Sequence, residues 1–117
     1  MRDKSDENWK VGQRCLQDGD LNAATSRLYY GLFQAVLAWA RAKKGYAKTD
    51  GLHGDMCRFV SSEGKARHLC GPKLIRLRSL RETADYQTDT PAENVLRDLL
   101  PVCEQMRAAY LKMAETP

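Results

Sequence analysis

A chain of 117 residues, 43% of them apolar and 29% charged, has room for one domain and for a core that needs no disulfide or metal staple; it is too apolar for a disordered segment. No apolar run approaches the roughly 20 residues of a membrane span, and Met1-Arg2-Asp3-Lys4-Ser5-Asp6-Glu7 lacks the apolar stretch of a signal peptide, so a cytoplasmic protein without membrane contact is expected. The formal charge of +4 is small, yet Lys65, Arg67, Lys73, Arg76, Arg78 and Arg81 follow one another with no acid among them, which suits an anionic partner such as nucleic acid or simply a solvated helix face.

Apolar spacing predicts a first helix over Asp3 to Gln17, with Trp9, Gly12 and Leu16 on its inner side and Gln17-Asp18-Gly19-Asp20 as the turn that follows. So short a link makes the first two helices antiparallel neighbours. The second helix, Asp20 to Lys44, is the centre of the chain. Leu21, Ala24, Leu28, Leu32, Ala35, Val36 and Trp39 share one face, and Tyr29, Phe33, Leu37 and Ala40 widen it until only a strip through Arg27, Gln34 and Arg41 stays polar. A helix this apolar is buried on more than one side. Asp20 serves as its N-cap, and Lys43-Lys44-Gly45 suits its exit.

Gly45 to Gly51 reads as a polar loop, and Leu52, Met56, Phe59 and Val60 predict a short third helix ending near Ser61-Ser62-Glu63-Gly64. Gly71-Pro72 opens a fourth, with Leu74, Leu77, Leu80 and Ala84 as its apolar side and Arg78, Arg81 and Asp85 along the border. Thr90-Pro91-Ala92-Glu93 has the form of a capping box. A fifth helix follows, with Val95, Leu96, Leu99, Val102, Cys103, Met106, Ala109, Tyr110 and Met113 as its stripe and Pro101 as a bend that frees the carbonyl of Arg97. No stretch alternates with period two, so the expected fold class is all-α, a single domain over residues 1–117.

The four cysteines form no CxxC pair and are expected as reduced thiols, Cys15 and Cys103 as small buried hydrophobes. His53 and Cys57 lie four apart, on one helix face, and with His68 and Cys70 make up the two imidazoles and two thiolates that zinc accepts. The competing reading has His53 start the third helix with Cys57 packed beneath it. There is no phosphate-binding GxxxxGK loop and no GxGxxG.

Ser26-Arg27-Leu28-Tyr29-Tyr30-Gly31, completed by Phe33, and Arg81-Glu82-Thr83-Ala84-Asp85-Tyr86 together resemble the paired signatures of the HEPN family, named from higher eukaryotes and prokaryotes nucleotide-binding. The helical order, the early Trp9 and Leu52-His53-Gly54 before a short helix fit the resemblance over almost the whole chain. It implies an antiparallel up-and-down bundle of about five helices. It also implies a homodimer, membership of a toxin-antitoxin-type module beside a small nucleotidyltransferase, and binding of RNA or nucleotide. Nothing in it implies a metal or other cofactor.

Ribonucleases of the family carry an arginine followed after four to six residues by histidine, and this chain departs from that pattern. Aligning Arg81 with the family's arginine puts Tyr86 at the shortest histidine position, and neither His53 nor His68 has an arginine at the required distance before it. A tyrosine titrating near 10 is a poor base at pH 7, whereas imidazole moves protons there. Arg78 and Arg81 still suit phosphate through their planar forks. The expectation is therefore binding in a basic cleft with ribonuclease activity weak or absent. The alternatives are a non-catalytic module docking a nucleotidyltransferase-like partner, and an active metal-independent ribonuclease using His53 or His68. Arg27 and Asp85 are expected either to pair inside the bundle or to serve a dimer cleft, and Tyr29, Tyr30 and Tyr86 to pack as core aromatics or to stack on a base.

Overall fold

A computed structural model describes residues 2–62, 71–86 and 93–117. Within them the chain is all-α: α1 (Arg2–Gln17), α2 (Leu21–Lys43), α3 (Leu52–Ser62), α4 (Gly71–Tyr86) and α5 (Glu93–Glu115). Thr90, Pro91 and Ala92 of the predicted capping box lie outside the described residues.

The polar-strip pattern of α2 dictates its place. Leu28, Tyr29, Leu32, Phe33, Val36, Leu37 and Trp39 are all buried, and α2 packs against α1, α4 and α5 while α3 leans on α4. Burying each of the larger side chains contributes about 1.5 to 3 kcal/mol, so α2 alone supplies much of what offsets the chain's ordering. Its ends close as capping chemistry requires. Ala23 N donates to the Asp20 carboxylate at 3.3 Å, and Gly45 takes a left-handed φ of +64° that turns the chain so that Tyr46 N reaches the Ala40 carbonyl at 3.2 Å. Buried Thr25 is satisfied by its own helix, donating to Leu21 O at 2.7 Å.

α1 meets α2 through two glycines. A Cβ at Gly12 would stand 2.7 Å from Leu28 Cδ2, and one at Gly31 would stand 3.1 Å from Trp9 Cε3, so both positions let the helix axes close up. The polar strip is used as well. Asn8 bridges it, donating to Gln34 Oε1 at 3.0 Å and accepting from Arg27 at 2.9 Å.

α5 is locked to α1 by Arg107, whose guanidinium lies 5.3 Å from the Trp9 ring and donates to Asp6 at 2.5 Å and Ser5 Oγ at 3.4 Å. Buried Ser5 passes the chain on to Gly31 O at 2.7 Å, so one polar chain ties α5, α1 and α2. One turn before Asp6, Arg2 at the start of α1 pairs with Glu115 at the end of α5, which makes the two helices antiparallel. Pro101 lies exposed inside α5, which continues past it. Leu16, Ala24 and Leu96 form a smaller cluster beside the α1–α2 turn, where Cys15 is half-buried; Cys103 is fully buried. Among the described residues no helix is long and apolar enough to cross a membrane.

Candidate functional site

Three helices converge on His53. The imidazole sits at the second residue of α3, and the positive N-terminal end of a helix disfavours a cation there. α2 presents Phe33 to it together with Tyr29 and Tyr30, which lie four and three residues before Phe33 and so flank it one turn earlier on the same side of the helix. The Tyr29 hydroxyl and His53 Nδ1 are 2.7 Å apart, and the Phe33 ring lies 4.5 Å from the imidazole at 31°. α4 supplies the charge: the Arg81 guanidinium lies over Tyr30 at 4.9 Å and over Tyr29 at 5.6 Å. Stacking of this kind fixes the plane of a guanidinium.

Electrostatics follow from the packing. Burial, then the nearby Arg81 and Arg78, push His53 below the usual imidazole range, so it is neutral at pH 7. Burial drives the Tyr29 hydroxyl far above the usual phenol range, so it keeps its proton. Cys57, one turn on from His53, is likewise pushed up, chiefly by burial, and stays a thiol even beside Arg78.

The α3 N-terminus is held from the preceding loop. The Asp55 carboxylate accepts from the Tyr46 hydroxyl at 2.6 Å and from Lys48 Nζ at 3.1 Å. The Tyr46 bond, followed by that of Lys48, holds the Asp55 carboxyl below its ordinary range, while burial and Asp55 push Tyr46 up to about 12. Next to this anchor opens a cavity of about 310 Å³ lined by Gly54, Cys57, Arg58, Ile75, Arg78, Ser79 and Glu82. Arg78 pairs there with Glu82 at 3.2 Å. Arg58, which sequence reasoning passed over, stands at the rim with its side chain largely exposed.

Of the residues singled out from sequence, Arg78, Arg81, Tyr29, Tyr30 and His53 therefore come together. Arg27 does not join them: it is exposed and bound to Asn8, on the α1 side of α2. The side chains of its supposed partner Asp85 and of Tyr86, together with His68 and Cys70, lie outside the described residues. Among the described residues no three of histidine, cysteine, aspartate and glutamate converge as metal ligands. The Tyr29–His53 contact spans 24 positions and joins two different helices, so no local spacing could have announced it.

The depressed His53 implies a pH effect of definite sign. Unfolded chain takes up a proton near pH 6.5 and the folded site resists it, so His53's contribution is full above about 6.5 and is lost as pH falls through the folded value. Melting temperature should therefore fall between pH 7.5 and 5.5, above the range of the carboxylates. His53→Gln, which offers Tyr29 an amide oxygen, should flatten that slope. An equal slope in the variant would assign the effect elsewhere.

Comparison of the chain with models of protein families, with curated proteins and with solved structures returns no match.

Proposed function

We propose that this chain is a HEPN-like component of a toxin-antitoxin-type module, dimeric and cytoplasmic, that binds RNA or nucleotide in the basic cleft of α4 with little or no ribonuclease activity. The observation that carries the reading is the placement of Arg81, stacked on Tyr30 and Tyr29 next to Arg78 and the open cavity. A guanidinium whose plane is already set loses little freedom when a phosphate docks against its edge, and the partly buried Tyr30 adds a surface on which a base can stack. Weak or absent cleavage is supported by the lack of an arginine-to-histidine motif.

The test is binding of a short single-stranded RNA to the parent and to the double variant Arg78→Glu, Arg81→Glu at several salt concentrations. Affinity should fall at least tenfold. The slope of log K against log salt should flatten by about 0.7 for each phosphate contact removed. A folded double variant that binds RNA as the parent does would overturn the reading in favour of a module that docks a nucleotidyltransferase-like protein. Cleavage of the RNA without added metal, lost in Arg81→Ala, would instead make the chain an active ribonuclease.

A further inference from the structure

We infer that Tyr29 holds His53 as the neutral imidazole with its proton on Nε2, so that His53 acts as a hydrogen-bond donor to an anionic phosphate oxygen. The choice of ligand rests on the phosphate-binding reading above; the tautomer does not.

The 2.7 Å contact between Tyr29 and His53 Nδ1 contains one proton, and only two arrangements supply it. In one the phenol donates and Nδ1 accepts. In the other Nδ1–H donates to the phenol oxygen, and the phenol proton must find a different acceptor. Tyr29 is wholly buried and has no other hydrogen bond among the described residues, so the second arrangement strands a buried hydroxyl proton. The imidazolium strands it in the same way, since both its nitrogens are donors. The groups that face the ring reinforce this outcome. Tyr29, held protonated by burial, and the uncharged Tyr30 ring approach from α2, Cys57 on α3 is a thiol, and Arg78 and Arg81 on α4 oppose a further positive charge.

With Nδ1 occupied, the proton of the neutral ring is on Nε2. The two ring nitrogens point apart, so this N–H is directed away from Tyr29. Phe33 against the face of the ring and Tyr30 at 77° to it hold its orientation. His53 is only partly buried, and Nε2 has no hydrogen-bond partner among the described residues. An uncharged donor beside two guanidinium groups suits a phosphodiester or phosphate monoester. It adds a directed hydrogen bond without the desolvation cost of a third charge. It also denies His53 the part of general base at Nε2, because that nitrogen already carries the proton. Binding without cleavage follows from the same hydrogen bond.

The experiment is a long-range proton–nitrogen correlation spectrum of the uniformly labelled full chain at pH 7.5. His53 is expected to show a protonated Nε2 and an unprotonated Nδ1. Tyr29→Phe should return the ring toward a mixed population. A parent spectrum with the proton on Nδ1, or a Tyr29→Phe spectrum identical to the parent's, overturns the tautomer assignment. Short single-stranded RNA is then added. In the parent it should shift the Nε2 proton; His53→Leu should bind RNA about 5- to 10-fold more weakly, and His53→Gln, which keeps a side-chain N–H, should recover part of that loss. RNA that binds through Arg78 and Arg81 but equally well to a folded His53→Leu variant overturns the donor role and leaves the binding reading intact. RNA that does not bind the parent at all removes both the phosphate-binding reading and the donor role.

Discussion

Trp9→Ala is expected to lower the unfolding free energy by about 3 to 5 kcal/mol, the usual range for emptying the site of a large buried aromatic. The indole is 2% exposed and stands where α1, α2 and α5 meet, with Gly31 closed against its ring and Arg107 stacked 5.3 Å away. Removing it opens a void that Gly31, having no side chain, cannot fill. It also takes away the ring over which Arg107 lies on its way to Asp6. Domains of this kind are stable by only about 5 to 15 kcal/mol, so the variant should be close to unfolding at physiological temperature. Trp9→Phe supplies the contrast. The indole N–H is buried without a hydrogen-bond partner among the described residues, so a phenyl ring gives up volume but no bond, and its cost should be well under half as large. Urea titration followed by far-ultraviolet circular dichroism measures both. A loss below about 1 kcal/mol for alanine would mean that the junction of the three helices closes over the gap.

How far the fold could be read from sequence depends on which interactions are local. Asp20 caps α2 as its carboxylate and position imply, and the end of α2 at Gly45 follows from glycine's access to positive φ. The broad apolar surface of α2 placed it at the centre, where it packs against three helices. Trp9, Gly12 and Leu16 lie on the inner side of α1, as their spacing requires. The site was legible only in part. Arg78 and Arg81 sit on the border of α4, where periodicity put them, both half-buried. Their company was not legible, because stacking on Tyr29 and Tyr30 and the approach to His53 arise from the docking of α4 and α3 on α2. Arg27 illustrates the opposite failure. Its place on the edge of an apolar helix fits a buried ion pair as well as a surface bond, and nothing nearby in sequence announced Asn8, 19 positions earlier, as its partner.

Gly12→Val should destabilise the chain by about 1 to 3 kcal/mol through overpacking, more than offsetting whatever a helix gains on losing a glycine. The first atom of any side chain at this position would meet Leu28 at 2.7 Å from Cδ2 and 2.8 Å from Cγ, and would stand 3.1 Å from the Leu28 backbone nitrogen. The leucine methyl can rotate only into a closed core, since Leu28 is itself buried, and the backbone contact can be relieved only if α1 and α2 move apart. The second γ-branch of valine removes the remaining room. That strain falls one residue from Tyr29, whose hydroxyl reaches His53, so a helix displaced at Leu28 displaces the site as well. Gly12→Ala separates the two terms. It carries the same first clash without the branches and gains about 1 kcal/mol in helix propensity, so it should fall between parent and valine. Thermal and urea unfolding of the three proteins should therefore rank them glycine, alanine, valine. A valine variant as stable as the parent would show that the two helices do not approach each other closely at Gly12.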